Sequence, residues 1–272
     1  MKRKKQAIGV FDSGVGGLTV FKEIRKKFPY EDIIYFGDTA RVPYGPKSKN
    51  TVIDYSIQNT RFLIQEDVKM VVIACNTSSA VSLNVLKKMF DIPILGVIEP
   101  GAMNAVKVSK NNKIGVIGTE GTIRSEAYTK TIHNINPDVI IYSKACPLFV
   151  SLAEEGWANH PITRDIIKEY LEDFKTKNID TLVLGCTHYP ILKTAIQEFM
   201  GNEVNLVDSA TSILSDIESV LKNGENIEKG KDLFFVSDNE EKFCKIAQDI
   251  LDIKNFTLSK VKLGETWYVD RL

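Results

Sequence analysis

Short apolar runs, most of them rich in valine and isoleucine, alternate along this chain with longer segments whose apolar positions recur every three or four residues. Runs of the first kind read as buried strands, and segments of the second as amphipathic helices. The first strand is predicted over residues 7–11, followed by the glycine-rich turn Asp12-Ser13-Gly14-Val15-Gly16-Gly17 and a helix over 18–28. Further strands are predicted over 33–36, 70–74 and 94–97, with helices over 51–66 and 80–90. Residues 41–50, rich in Pro, Gly, Ser and Lys, read as a loop. Glu99-Pro100-Gly101 closes the 94–97 strand.

The alternation then begins again. Strands are predicted over 113–117, 139–143, 181–184 and 204–207, a polar glycine turn over 118–122, and helices over 125–132, 163–177 and 191–200. A helix over 211–222, a polar turn over 223–230, a strand over 232–236 and a helix over 240–251 follow. Ile8-Gly9-Val10-Phe11-Asp12-Ser13-Gly14 resembles Ile114-Gly115-Val116-Ile117-Gly118-Thr119-Glu120, offset by 106 positions. Helices between strands throughout predict an α/β protein with mainly parallel sheets. The repeat predicts two similar Rossmann-like or flavodoxin-like domains. Residues 1–98 with 210–272 are expected to form one and residues 99–209 the other, with the active site in the cleft between them.

Two stretches give that cleft chemistry. In each, an apolar run stops at a cysteine, and polar residues and a helical segment follow: Cys75-Asn76-Thr77-Ser78 and, 111 positions on, Cys186-Thr187-His188. Asn76, Thr77 and Ser78 are good helix N-caps, so Cys75 is expected at a strand tip facing a helix N-terminus, where the helix dipole favours a thiolate. In open α/β sheets ligands bind outside the carboxyl ends of the strands. Asp12, Ser13, Cys75, Asn76, Thr77, Thr119, Cys186, Thr187 and His188 are expected there, with Pro43, Tyr44 and Gly45 adding donors from the loop. Helix-start N–H groups hold carboxylates, so the lining suits a small anionic or zwitterionic ligand. A thiolate on one wall removes a proton and a thiol on the other returns one, which inverts a carbon centre without a cofactor. His188 is placed to exchange a proton with Cys186, and Asp12 to do so beside Cys75.

Composition narrows the class without naming it. Thirty-five basic and thirty-five acidic residues cancel, so charge argues for neither nucleic acid nor an anionic membrane as partner. The basic run at Lys2–Lys5 reads as a solvated tail, and no uninterrupted apolar run follows it as in a signal peptide. No apolar segment reaches the roughly 18 residues of a membrane span. Four cysteines in 272 residues are not a disulfide framework, and a cytoplasmic, reducing setting is expected.

Other readings of the same residues remain. A buried cysteine is often a packing residue, the role expected for Cys146 and Cys244, and His188 alone would often be structural. The Asp12–Gly17 turn lacks the Gly-Lys-Ser/Thr end of a phosphate loop, and its third glycine is misplaced for a dinucleotide fingerprint. Apart from Cys186/His188, the set Cys75, Cys186 and His188 has no close ligand pair of the spacing structural zinc sites use, and no Cys-x-x-Cys redox pair occurs.

Several motifs, in order along nearly the whole chain, resemble the cofactor-independent aspartate/glutamate racemase family, and within it the glutamate racemases. They include Gly9-Val10-Phe11-Asp12-Ser13-Gly14-Val15-Gly16-Gly17, Asp38-Thr39-Ala40-Arg41-Val42-Pro43-Tyr44-Gly45 and Ala74-Cys75-Asn76-Thr77. Gly96-Val97-Ile98-Glu99-Pro100, Ala145-Cys146-Pro147-Leu148 and Leu184-Gly185-Cys186-Thr187-His188-Tyr189-Pro190 continue the match. The resemblance implies interconversion of L- and D-glutamate without cofactor or metal, supplying D-glutamate for peptidoglycan. It implies that Cys75 acts on D-glutamate and Cys186 on L-glutamate, with Asp12, Glu154 and His188 assisting, and that the chain forms a homodimer. Glu154 enters through the resemblance alone. Competing functions are a racemase for aspartate or a hydantoin, a cysteine-nucleophile amidase, and a two-lobed binding protein.

Overall fold

All six residues of the first strand, β1 (Ala7–Asp12), are buried, as a strand covered on both faces requires. Ile8 and Val10 pack into one apolar layer and Ala7 and Phe11 into the opposite one, following the two-residue period of a strand. The computed structural model describes residues 6–221 and 228–263. The Lys2–Lys5 run and residues 222–227 of the helix end and turn expected there lie outside them.

From β1 the chain runs through α1 (Leu18–Lys27), β2 (Ile33–Gly37), α2 (Lys49–Gln65), β3 (Val68–Ile73), α3 (Asn76–Met89), β4 (Ile94–Gly96) and α4 (Ile98–Val108). The second run is β5 (Lys113–Gly118), α5 (Glu120–Ser125), α6 (Ala127–Ile135), β6 (Ile140–Ala145), α7 (Leu148–Glu154), α8 (Pro161–Thr176) and β7 (Thr181–Gly185). A 3-10 turn (Tyr189–Leu192), α9 (Lys193–Met200) and β8 (Asn205–Asp208) follow it. The chain then continues through α10 (Ser209–Ser212), α11 (Leu214–Val220), β9 (Asp232–Val236), α12 (Glu240–Leu251) and β10 (Thr257–Lys260).

Two sheets result, ordered β10-β9-β2-β1-β3-β4 and β6-β5-β7-β8. The second repeats the order β2-β1-β3-β4 of the first, and the strand pairings are parallel. The returning segment adds β9 beside β2 and β10 at the edge. Each sheet is sandwiched between two apolar layers. In the first sheet α1, α11 and α12 cover one face (Phe21, Ile24, Ile217, Phe243) and α2 and α3 the other (Phe62, Leu63, Leu86). In the second, α4 and α6 face Ile114 and Val183, while α7, α8 and α9 face Ile117 and Leu184. Among the described residues no helix is long and apolar enough to cross a membrane.

Local expectations changed at a few places. Glu99-Pro100-Gly101 lies inside the first turn of α4, where a proline costs little because N–H groups there have no intrahelical acceptor. The helix expected over 125–132 is broken at Glu126, whose φ of +56° is left-handed, and α5 begins within the turn expected over 118–122. The helix expected over 191–200 opens as the 3-10 turn. The helix α4, the short helix α7 and the edge strand β10 were not expected at all.

Candidate active site

Five strand ends build the site. Asp12 ends β1, Asp38 follows β2, Cys75 lies two residues past β3, Thr119 follows β5 and Cys186 follows β7. Parallel strands put all these turns at the carboxyl edges of their sheets, where β1–β3 and β5–β7 are the equivalent central pairs. The two edges meet around a narrow cleft. Of the residues singled out in the sequence, Ser13, Pro43, Tyr44, Gly45, Cys75, Asn76, Thr77, Thr119, Cys186, Thr187 and His188 line it. Val42 and Val150 line it too and carried no sequence signal beyond being apolar. Asp12 and Glu154 stand behind the wall and reach the site through hydrogen bonds.

The loop after β2 is held by a buried cluster. Asp38, fully buried, accepts from Arg41 Nε at 2.7 Å and from the Tyr44 hydroxyl. Asn59 Nδ2 donates to that hydroxyl at 3.1 Å, and the Arg41 guanidinium lies over the Tyr55 ring. Arg41 is therefore spent on fixing the loop that presents Pro43, Tyr44 and Gly45. Among the described residues lining the cleft there is no lysine or arginine, so hydroxyls and helix-start N–H groups must hold any anionic ligand.

Several hydrogen bonds tie the two edges together. Thr187 Oγ1 donates to Asp12 Oδ2 at 3.1 Å, and Thr19 Oγ1 donates to the Thr187 carbonyl at 3.0 Å. The Thr77 hydroxyl lies 2.8 Å from that of Thr119 and 3.2 Å from that of Thr122. Asn76 Nδ2 donates to Tyr128 OH and Ser209 Oγ at 2.9 and 2.8 Å. Asn76 Oδ1, buried in the same wall, has no hydrogen-bond partner among the described residues. A buried acceptor without a donor calls for one, and a ligand ammonium in the cleft would supply it. Gly16 lets the edges approach this closely: a Cβ there would lie 2.5 Å from both His188 Nδ1 and Thr187 Oγ1.

The two thiols have unlike surroundings. Cys75 Sγ donates to Ser13 Oγ at 3.7 Å. Burial and then the Asp12 charge push its thiol up to about 12, despite opposing hydrogen bonds from Ser78 N–H and Ser13. The thiolate expected from the helix dipole is thus corrected: Cys75 itself caps α3, but desolvation outweighs the partial charge of a helix end. Asp12 is also raised by burial, against the His188 charge and the Gly14, Gly17 and Thr187 bonds.

Cys186 Sγ lies 3.8 Å from His188 Nδ1, and His188 Nε2 lies 3.1 Å from Glu154 Oε1. Burial would lower the imidazole, but its bonds to Cys186 and Glu154, with the Cys186 and Asp12 charges, hold it up to about 10. For Glu154 burial is likewise outweighed, by His188 and by Lys242, and its carboxyl is held down at about 2. One wall therefore carries a protonated thiol and the other a sulfur beside a cationic imidazole. That arrangement is suited to moving a proton from one side of a ligand to the other. Among the described residues no group of three or more His, Cys, Asp or Glu side chains is placed to share a metal ion.

Residues 14–216 match the sequence model of the Asp/Glu/Hydantoin racemase family. A glutamate racemase from Geobacter metallireducens is 50% identical over 262 residues, covering 95% of this chain and 97% of its own. The crystal structure of a glutamate racemase isoform from Bacillus anthracis superposes with a TM-score of 0.92 at 38% identity, covering 96% of this chain and 99% of its own. That of the Francisella tularensis glutamate racemase in complex with D-glutamate gives 0.87 at 40% identity, over 96% and 98%.

Proposed function

The chain belongs to the Asp/Glu/Hydantoin racemase family, and on that premise we propose that it inverts the α-carbon of glutamate by passing a proton between Cys75 and Cys186. Its activity is that of a glutamate racemase, an amino-acid isomerase. The observation that carries the two-thiol reading is that both cysteines line one cleft from equivalent strand ends of two sheets that share the order of four strands.

In this reading the substrate ammonium donates to Asn76 Oδ1, and its carboxylates take the hydroxyls of Ser13, Thr77, Thr119 and Thr187 and the N–H groups at the start of α3. Cys186, as thiolate, removes the α-proton of L-glutamate. The electron pair of the broken C–H bond is delocalised into the α-carboxylate. Cys75, as thiol, delivers its proton to the opposite face, giving D-glutamate, and the reverse direction exchanges the roles. The α-proton is very weakly acidic, so fixed donors and exclusion of water must supply most of the stabilisation. The ammonium on Asn76, next in sequence to Cys75, favours the charged form of that thiol.

Circular dichroism decay of each enantiomer, with Cα–deuterium incorporation from D2O, tests the reading. Wild-type protein should racemise both, and Cys75→Ser and Cys186→Ser should each lose nearly all racemisation. Full activity in either variant sinks the two-thiol mechanism, and turnover of aspartate in place of glutamate sinks the substrate assignment.

The reading extends to the cell and to assembly. We propose that the product D-glutamate serves peptidoglycan synthesis in the cytoplasm, which rescue of a D-glutamate auxotroph would test. We also propose that residues 1–98 with 210–272 and residues 99–209 are the two domains, and that the chain works as a homodimer, to be measured by light scattering.

A further inference from the structure

Lys242 lies outside the cleft, on α12 of the lobe built on the six-stranded sheet. Its Nζ nevertheless reaches across to α7 of the other lobe, 3.0 Å from Glu154 Oε2 and 3.7 Å from Glu155 Oε1. The other Glu154 oxygen meets His188 Nε2, and His188 Nδ1 meets Cys186 Sγ. The four groups form one line from a lysine 42% exposed, through a carboxylate 16% exposed, to a histidine 3% exposed and a buried thiol. Cys75 has a different neighbourhood: its sulfur bonds to Ser13 Oγ.

We propose that Lys242 is a positioning residue for the Cys186 proton transfer, holding Glu154 from across the cleft so that His188 keeps its Nδ1 turned to the Cys186 sulfur. The proposal rests on the two-thiol reading above.

Two physical effects support it. Glutamate has three rotatable side-chain bonds, and freezing them costs free energy that a bond at one oxygen alone offsets poorly. With Lys242 on Oε2, both oxygens are engaged and Oε1 is fixed where Nε2 needs an acceptor. A carboxylate bonded to one ring nitrogen sets the tautomer and orientation of the other. The lysine also adds to His188 in keeping Glu154 ionised where burial alone would favour its neutral form, and a neutral Glu154 would hold the imidazolium far less tightly. Lys242 and Glu154 come from different lobes, so the contact lasts only while the two lobes stay together.

The test uses the full-length enzyme with Lys242→Met and Lys242→Arg. The two enantiomers have equal free energy, so kcat/KM must be the same in both directions for any variant. Loss of Lys242 should lower it about 3- to 10-fold, the modest range of a half-exposed charged hydrogen bond. Which sulfur is affected is read from isotope effects in H2O. With [2-2H]-L-glutamate the deuterium leaves to Cys186, and with [2-2H]-D-glutamate it leaves to Cys75. Lys242→Met should raise the isotope effect on kcat/KM for L-glutamate and move that for D-glutamate toward 1, and Lys242→Arg should restore both. A merely structural contact would slow the enzyme without shifting the ratio of the two effects. An unchanged ratio, an unchanged kcat/KM, or an Arg variant as impaired as the Met variant overturns the proposal. Full activity of Cys186→Ser would instead overturn the two-thiol reading beneath it.

Discussion

Cys75 and Cys186 occupy equivalent strand ends, yet the residues around them make them unlike. Cys75 is pushed up to about 12 by burial and Asp12, while Cys186 has the imidazole of His188, held up to about 10, beside it. Equal product and substrate energies force kcat/KM to share one pH profile in both directions, so the asymmetry must appear in kcat. We expect kcat for D-glutamate, which needs the Cys75 thiolate, to keep rising with pH where kcat for L-glutamate has levelled. Superimposable kcat profiles would contradict this. Stability carries a second signature. His188 is raised in the folded state, so its contribution is complete below the unfolded value of about 6.5 and is lost as pH rises toward about 10. Glu154 is lowered, so its contribution holds above about 4.3 and is lost as pH falls through about 2. The Tm of the wild type should therefore decline between pH 6.5 and 10 more steeply than that of His188→Asn, and parallel curves would count against the pair. The cysteines, His188 and the hydroxyls were legible in the sequence because each directly follows an apolar run. Lys242 was not, because nothing near it in sequence says that α12 returns to face Glu154.

At the scale of elements, runs such as residues 70–74 and 181–184 announced their strands because buried parallel strands need apolar, β-branched side chains on both faces. The whole of α4 was hidden, because Pro-Gly reads as a chain break unless the following helix accepts the proline. Glycines in the turn after β1 likewise read only as a tight turn. In the structure Gly16 is where α1 of one lobe meets the Thr187-His188 segment of the other. Gly16→Ala should separate these segments by a fraction of an ångström or more while leaving both sheets intact. Misplacement of that order costs about 10²-fold in rate. Steady-state kinetics should show this loss with a Tm close to wild type; an Ala variant of undiminished kcat/KM would show that the close approach is dispensable.

At the scale of the molecule, closure is a set of polar contacts between lobes and not a continuous apolar core: Thr187 to Asp12, Asn76 to Ser209 and Tyr128, and Arg124 to the Lys47 carbonyl at 3.1 Å. Such an interface can open, and a ligand that fills it stabilises the closed form. Glutamate at a hundred times its Kd should add about 2.7 kcal/mol, a rise in Tm of several degrees for a chain of this size. Asn76→Ala, which removes the unpartnered acceptor, should reduce the shift at the same concentration. Calorimetry showing equal shifts would mean that Asn76 does not hold the ammonium.

The sequence by itself determined the α/β class, the repeated alternation of strands and helices and the two cysteine turns, because these follow from local periodicity and from residues adjacent along the chain. Only the tertiary structure decided the charge states and partners within the site. Burial sets the Cys75 thiol against the helix dipole. Asp12 accepts hydrogen bonds from Thr187 Oγ1 of the other lobe and from Gly14 N–H of its own turn, and Glu154 is clamped between His188 and Lys242. Those outcomes depend on desolvation and on distances between segments as many as 175 positions apart, which the order of residues does not encode locally.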